Sequence, residues 1–368
     1  MKKYFIAILF PIFLYSQTIL RFSSENMNLK LERVISENDV IWALDFISKD
    51  EIIFAMKNGN IATYNLKSRV TKYFKNTPYV VNIGQGGLLD VAVSPNFKSD
   101  QTIFFTYVKE YGNDIVTALA KAKYRYNDLY EWKDILVTKS NSGTSRHFGS
   151  RITFDEEGHL FFSVGERGYR PNAQDLSNHA GTIIRLNIDG TIPKDNPFIN
   201  QYEKLPEIYS YGHRNPQGIF YDRHRKTIFS SEHGPRGGDE INVIYKGQNY
   251  GWPTISYGKE YWNPLSVGEG THKDGMMQPI KYYDPSIAPS SLIVYNGNKF
   301  PAFKGDIFIG ALKLTHLNRI ILDNNFNVLR EERLLNDLDE RIRDVIESPD
   351  GLIYISTDSG NIYRIVPN

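Results

Sequence analysis

Short aromatic and β-branched runs separated by polar turns recur along the whole chain, and apolar positions at helical spacing are scarce. One four-residue run appears six times: Glu51-Ile-Ile-Phe54, Thr102-Ile-Phe-Phe105, His159-Leu-Phe-Phe162, Thr227-Ile-Phe-Ser230, Asp306-Ile-Phe-Ile309 and Leu352-Ile-Tyr-Ile355. Their starts are separated by 51, 57, 68, 79 and 46 residues. Most follow a polar turn, such as Asp155-Glu-Glu-Gly158 or Ser348-Pro-Asp-Gly351, with another strand-like run before it. The unit is therefore a hairpin repeated six times. Repeats of this size predict propeller blades of about four strands. A lone blade cannot cover both of its faces, so neighbours must stack around an axis. The expected fold is an all-β, six-bladed β-propeller over residues 17–368, in preference to an irregular β-sandwich. No Pro- or Gly-rich linker divides it, and the wide spacings place the longest insertions at roughly 165–300. Loops on a rigid scaffold are where sites usually lie.

Phase within the repeat locates a site. If each run is the second strand of its blade, the loop after it and the loop entering the blade share one face. Gln85, His147, Arg214, Arg341 and Arg343 lie 17, 12, 13, 11 and 9 residues before the second strands of their units. Glu166, Gly234, Pro235 and Lys313 lie just after such strands. A ring of six blades brings all of them around one channel mouth. Arg214, Lys313, Arg341 and Arg343 would repel one another there without an anionic partner, and carboxylates suit the planar fork of arginine. Surface charge paired with Asp339, Glu340 and Asp344 is the alternative reading of the same residues. His147 precedes an innermost strand and can serve as a general base near neutral pH, held by Glu166 at the end of the same hairpin. A structural histidine is the bland alternative. The segment 232–240, followed by Asn249-Tyr-Gly-Trp252, offers main-chain carbonyls and carboxylates of the kind calcium takes, or else an ordinary Gly-rich turn.

Composition narrows the classes. Net charge is +1, so no general attraction to nucleic acid or acidic membranes follows, and any anion site must be local. The absence of cysteine removes disulfides, iron–sulfur clusters, c-type haem attachment and thiolate zinc sites. Lys2 and Lys3 followed by an apolar run at 4–15 read as an export signal over residues 1–16, too short to span a bilayer. The expected location is the periplasm or the medium, with no membrane span after cleavage. Gly84-Gln-Gly-Gly87 lacks the third glycine of a dinucleotide fingerprint, and there is no P-loop, His-Glu-x-x-His or Gly-x-Ser-x-Gly.

Taken together, several segments resemble the soluble pyrroloquinoline quinone (PQQ)-dependent aldose sugar dehydrogenases, relatives of soluble glucose dehydrogenase. The matching stretches are Gly84-Gln-Gly-Gly-Leu-Leu89, His147-Phe-Gly-Ser-Arg151, Ala173-Gln-Asp-Leu176, Ile192-Pro-Lys-Asp-Asn-Pro197 and Tyr209-Ser-Tyr-Gly-His-Arg-Asn-Pro-Gln-Gly218. Residues 232–240 and 249–253, Pro285-Ser-Ile-Ala-Pro289 and Arg341-Ile-Arg-Asp344 complete an ordered set.

The resemblance implies a six-bladed propeller that oxidises aldoses at the anomeric carbon to the lactone. His147 would take the hydroxyl proton as hydride passes to the quinone, and Arg214 would stabilise the charge that develops on it. Gln85, Asn215, Tyr261, Lys313, Arg341 and Arg343 would hold PQQ. Gly234 and Pro235 would offer carbonyls to a calcium ion at the quinone, and Glu240 and Tyr250 would bind a structural one. Partners would be an aldose and an electron acceptor of unknown kind, with the protein a monomer or homodimer. Glu166 stands where glucose-type members carry aspartate, Thr182 replaces a lysine usual in the family, and Ala288-Pro-Ser290 is small where they place a bulky aromatic. The alternatives are a calcium-dependent propeller lactonase and a non-catalytic ligand-binding propeller.

Overall fold

A computed structural model describes residues 17–368; the export segment expected at 1–16 lies outside them. Six antiparallel sheets follow one another along the chain. The first comprises Ile41–Ser48, Glu51–Met56, Ile61–Asn65 and Val70–Tyr73, and the second Leu88–Val93, Thr102–Tyr111, Asp114–Arg125 and Asp128–Val137. The third is built of Ile152–Phe154, His159–Val164, Thr182–Asn187 and Ile208–Tyr211, and the fourth of Pro216–Asp222, Thr227–Glu232, Asp239–Ile244 and Lys281–Tyr283. Pro289–Val294, Ile307–Ala311, Leu317–Leu322 and Val328–Leu334 make the fifth. In every blade the repeated run is the second strand, as its phase implies.

The sixth blade has five strands. Ile342–Glu347, Ile353–Thr357 and Asn361–Pro367 come from the C-terminal end, and Met27–Ser36 and Gln17–Ser24 from the N-terminal end. Met27–Ser36 pairs antiparallel with Asn361–Pro367, so these two strands close the ring without a covalent link, through ladder hydrogen bonds and shared apolar packing. Apolar side chains of the second strands, such as Phe54, Phe105, Phe162 and Phe308, are fully buried between blades.

The innermost strands present unpaired backbone groups to the tunnel, and buried N–H groups need partners. A side chain of the preceding blade supplies one at five of the six seams. Asp344 accepts from the Leu44 amide, Asp45 from Val93, Asp90 from Ile152, Thr153 from Tyr221 and Ser291 from Val345, all at 2.7–2.9 Å. Hydroxyls one position beyond the repeated run act in the opposite sense. Thr106, Ser163, Ser231 and Ser356 donate to the carbonyls of Ser150, Pro216, Ser290 and Ile41. In blade five that position is Gly310, and Ser290 donates to the Ile342 carbonyl instead. The repeat thus encodes the joint between blades as well as each blade.

Candidate active site

Every residue lining one cavity of about 260 Å³ comes from the two loop positions expected to share a face, or from the strand ends beside them. Blade one contributes Trp42 and Lys57, the loop entering blade two Gln85, blade four Asn215 and His233, and blade six Arg341, Arg343 and Asp358. Arg341, Arg343 and Lys57 therefore meet at one end of the tunnel, with the His147 backbone held beside them by Gln85, whereas Arg214 and Lys313 do not line this cavity. Arg151 closes the floor, where its guanidinium donates to the carbonyls of Trp42 at 2.6 Å and Arg343 at 3.0 Å. Beyond it, the tunnel opens into a separate cavity of about 590 Å³ at the opposite end.

The basic side of the site is organised by a carboxylate that the sequence reading did not single out. Asp358 accepts from Arg341 Nε at 2.7 Å and from Arg343 Nε and Nη2 at 2.7 and 2.9 Å. The alternative pairing with Asp339, Glu340 and Asp344 does not form. Asp344 faces Arg151 at 3.3 Å, and Glu340 is taken up by Thr357, Asn361 and Tyr363. Burial pushes the Asp358 carboxyl up, but the two guanidiniums override it and leave its pKa below the usual carboxylate value. Arg343 is buried and its guanidinium carbon lies over Trp42, 4.0 Å from the ring centroid. Lys57 brings another positive charge, its pKa lowered first by burial. With Arg341, Arg343 and Lys57 against Asp358, the cavity keeps an excess of positive charge among amides.

Beside this wall, His147 occupies a left-handed backbone conformation at φ 58°, uncommon outside glycine. Three contacts hold it there. Its N–H donates to Gln85 Oε1 at 2.8 Å, its ring Nδ1 meets Glu166 Oε2 at 2.5 Å, and its carbonyl lies against Gly165. A Cβ at Gly165 would stand 2.3 Å from that carbonyl oxygen, so only glycine lets the Glu166 strand end approach. Glu166 is buried, and its own N–H donates to the Arg214 carbonyl at 2.9 Å. The longer arm of glutamate thus reaches the imidazole. With Nδ1–H directed at a carboxylate, the lone pair is on Nε2, which has no protein partner among the described residues. Burial lowers the His147 pKa below that of an ordinary imidazole, opposed by Glu166. Arg167, fully buried, stacks 3.5 Å above the Phe148 ring and donates to the Thr144 carbonyl, clamping the same loop.

His233 joins this cavity to a smaller one, which Arg214 also lines. The Arg214 guanidinium donates to the carbonyls of His233 at 3.0 Å and Gly234 at 2.8 Å, while its buried Nε has no partner. His233 lines both cavities, and its Nε2 donates to the Pro289 carbonyl at 2.8 Å. Burial, then Arg214, push its pKa down to about 3, so the ring is neutral. The smaller cavity, about 10 Å³, is lined by Glu232, Gly234, Glu240 and Tyr250 among others. That is room for one ion or one water. Glu240 is pushed up to about 8 by burial and then by the charge of Glu232. A buried and a half-buried carboxylate, close enough for the charge of one to raise the pKa of the other, beside a one-atom space fit a divalent cation. The Tyr250 hydroxyl is already engaged by the Val243 carbonyl at 2.6 Å and the Tyr245 amide at 2.8 Å. Pro235 is not among the lining residues.

Two further expected residues stand outside the cavity. Tyr261 is 60% exposed and lines neither space. Lys313 is exposed as well, and its backbone N–H donates to the Ile287 carbonyl while its neighbour Leu312 lines the cavity. Conversely, Lys57, His233 and Asp358 each directly follow a second strand, so the phase argument could have found them.

Residues 38–364 match the family model described as glucose/sorbosone dehydrogenase. The chain belongs to the glucose/sorbosone dehydrogenase family. An aldose sugar dehydrogenase of Escherichia coli, YliI, is 37% identical over 335 residues, covering 89% of this chain and 90% of that protein. Quinoprotein glucose dehydrogenase B of Acinetobacter calcoaceticus is 28% identical, with 83% of this chain and 80% of that protein aligned. The soluble aldose sugar dehydrogenase of E. coli in its apo form superposes with a TM-score of 0.89 at 34% identity, over 92% of this chain and all of that one. In this family setting, Thr182 spends its hydroxyl on the His179 carbonyl at 2.7 Å, a structural bond.

Proposed function

We propose that this protein oxidises aldose sugars at the anomeric carbon to the lactone, with PQQ and calcium bound, after export to the periplasm or the medium. The observation that carries the reading is an imidazole fixed by a buried carboxylate, with a free Nε2, beside a cationic cavity. Three cations against one carboxylate, together with the orphaned Nε of Arg214, suit a flat polyanionic cofactor. Arg343, Arg341 and Lys57 would meet its carboxylates, and Asn215 and Gln85 its remaining edges. Glu232 and Glu240 would hold calcium with main-chain oxygens. When bound, the quinone supplies the two-electron acceptor and the ion a Lewis acid.

The chain's own residues do the rest. His147 accepts the hydroxyl proton at Nε2, and Glu166 keeps the ring in the tautomer that allows it and stabilises the imidazolium that results. Gln85 fixes the backbone that carries the base. Arg214, aimed by Glu232 through its backbone N–H at 2.8 Å, places positive charge where negative charge develops. The same charges favour this reading over a lactonase: a cavity rich in guanidinium is a poor match for a reaction run by carboxylate-bound metal alone. Purified protein given PQQ and calcium should reduce an artificial dye with aldoses as donors. Failure to bind PQQ at all would remove the proposal.

The pH profile offers a second test. Glu166 raises the His147 pKa, and burial lowers it by more. The acid limb of kcat/KM is therefore expected below the ordinary histidine value of about 6.5. In Glu166→Gln the raising influence is gone, so the limb moves to still lower pH while kcat falls about 10- to 100-fold through loss of orientation. A limb that moves up would show that Glu166 does not act on this imidazole.

A further inference from the structure

The ring closes where Met27–Ser36 meets Asn361–Pro367, and on the outside of that blade a second charged cavity lies against blade one. Its volume is about 140 Å³. Gln17, Arg33 and Arg364 reach it from blade six, and Tyr64, Leu66 and Arg69 from blade one. It shares no lining residue with the candidate active site.

The charges there do not balance. Arg364 is paired with Glu32 at 2.9 Å, and the same carboxylate also meets Lys30 at 3.0 Å. Arg33 donates to the Gln17 side-chain amide. Among the described residues, neither Arg33 nor Arg69 has a carboxylate within 4.0 Å. Arg33 and Arg69 thus line one small space from opposite sides of a seam that is held together non-covalently, with the Glu32-paired Arg364 beside them, and like charges there oppose its closure. Tyr64 adds a hydroxyl near two of them. Burial raises its pKa, and the positive charges of Arg69 and Arg364 act the other way.

We propose that this seam cavity binds a tetrahedral oxoanion, phosphate or sulfate, either free or as a headgroup ester. Guanidinium forks match such oxygens in pairs, and an anion bridging Arg33 to Arg69 converts repulsion across the seam into attraction. The space, about 140 Å³, is ample for an oxoanion with part of its hydration.

Thermal unfolding of the full chain in phosphate, sulfate or chloride at matched ionic strength tests this. Saturating phosphate or sulfate should raise the midpoint by about 3 °C over chloride. Arg33→Gln/Arg69→Gln should abolish that rise while being at least as stable as the parent in chloride, because the repulsion is gone. The exposed Arg69→Gln alone serves if the double variant folds poorly. A parallel arm measures co-sedimentation with phosphatidylglycerol and phosphatidylcholine vesicles. Arginine-dependent binding to the anionic vesicles without a response to free anions would assign the oxoanion to a lipid headgroup. An equal response in parent and variants, or no response in either arm, would overturn the proposal.

Discussion

His147→Ala should lower kcat for dye-linked aldose oxidation at least ~100-fold while leaving PQQ uptake intact. The two halves of that expectation come from different contacts. On the proposed reading the imidazole accepts the substrate proton through Nε2, and the other candidate acceptors near it are already engaged. Glu166 is committed to Nδ1, Asp358 to two arginines, and the neutral ring of His233 to the Pro289 carbonyl. The cationic wall, by contrast, is built by Arg341, Arg343, Lys57 and Asp358 without His147, which is not among its lining residues. Removing the ring should therefore spare the charges that would bind the cofactor. PQQ binding followed by absorbance titration, beside single-turnover reduction, separates the two. Loss of uptake with unchanged chemistry would recast His147 as a binding residue.

Much of this arrangement is legible from the repeat alone. The four-residue run marks the second strand in all six blades, and its phase sends two loops per blade to one end of the tunnel. That is why Gln85, Arg341 and Arg343 fall on one cavity although about 250 residues separate the first from the others. What the repeat does not convey is which carboxylate an arginine will meet. Asp339, Glu340 and Asp344 are close to Arg341 and Arg343 in sequence, yet successive strand residues point to opposite faces. Asp344 turns toward the tunnel floor, whereas Asp358, across the hairpin, meets both guanidiniums. Tyr261 and Lys313 mark a different limit. Tyr261 belongs to a long insertion whose path no periodicity constrains, and Lys313 sits one residue past the cavity-lining Leu312. The fifth position of the run, occupied by Ala55, Thr106, Ser163, Ser231, Gly310 and Ser356, shows the reverse case. Its small and hydroxyl residues are plain in the sequence, but their meaning needs the neighbouring blade, whose carbonyl they satisfy.

Arg151→Met should cost about 3–5 kcal/mol of stability, the largest effect expected from a single change outside the site. Arg151 is buried on the tunnel axis, 2.9 Å from Asp90 and 3.3 Å from Asp344, and also holds the Trp42 and Arg343 carbonyls. Methionine fills similar volume but leaves two buried carboxylates without their cation. The loss should depend on pH in a definite direction. Burial already raises the Asp90 pKa from 3.8 to about 7, and Arg151 is the chief influence pulling it down. Without the guanidinium, Asp90 stays protonated in the fold to higher pH, whereas the unfolded chain releases that proton near its ordinary value. Between these limits the native state holds more protons than the unfolded one, so stability falls as pH rises. Denaturant unfolding should therefore show a larger deficit at pH 8 than at pH 5. A deficit that shrinks toward alkaline pH would mean that the two carboxylates are not what Arg151 neutralises. Because the same guanidinium anchors the backbone under Trp42 and Arg343, the variant should also bind PQQ more weakly at pH 5, where the fold is least impaired. The seam that joins the blades and the floor that supports the cofactor wall would then be one structure, held by one side chain.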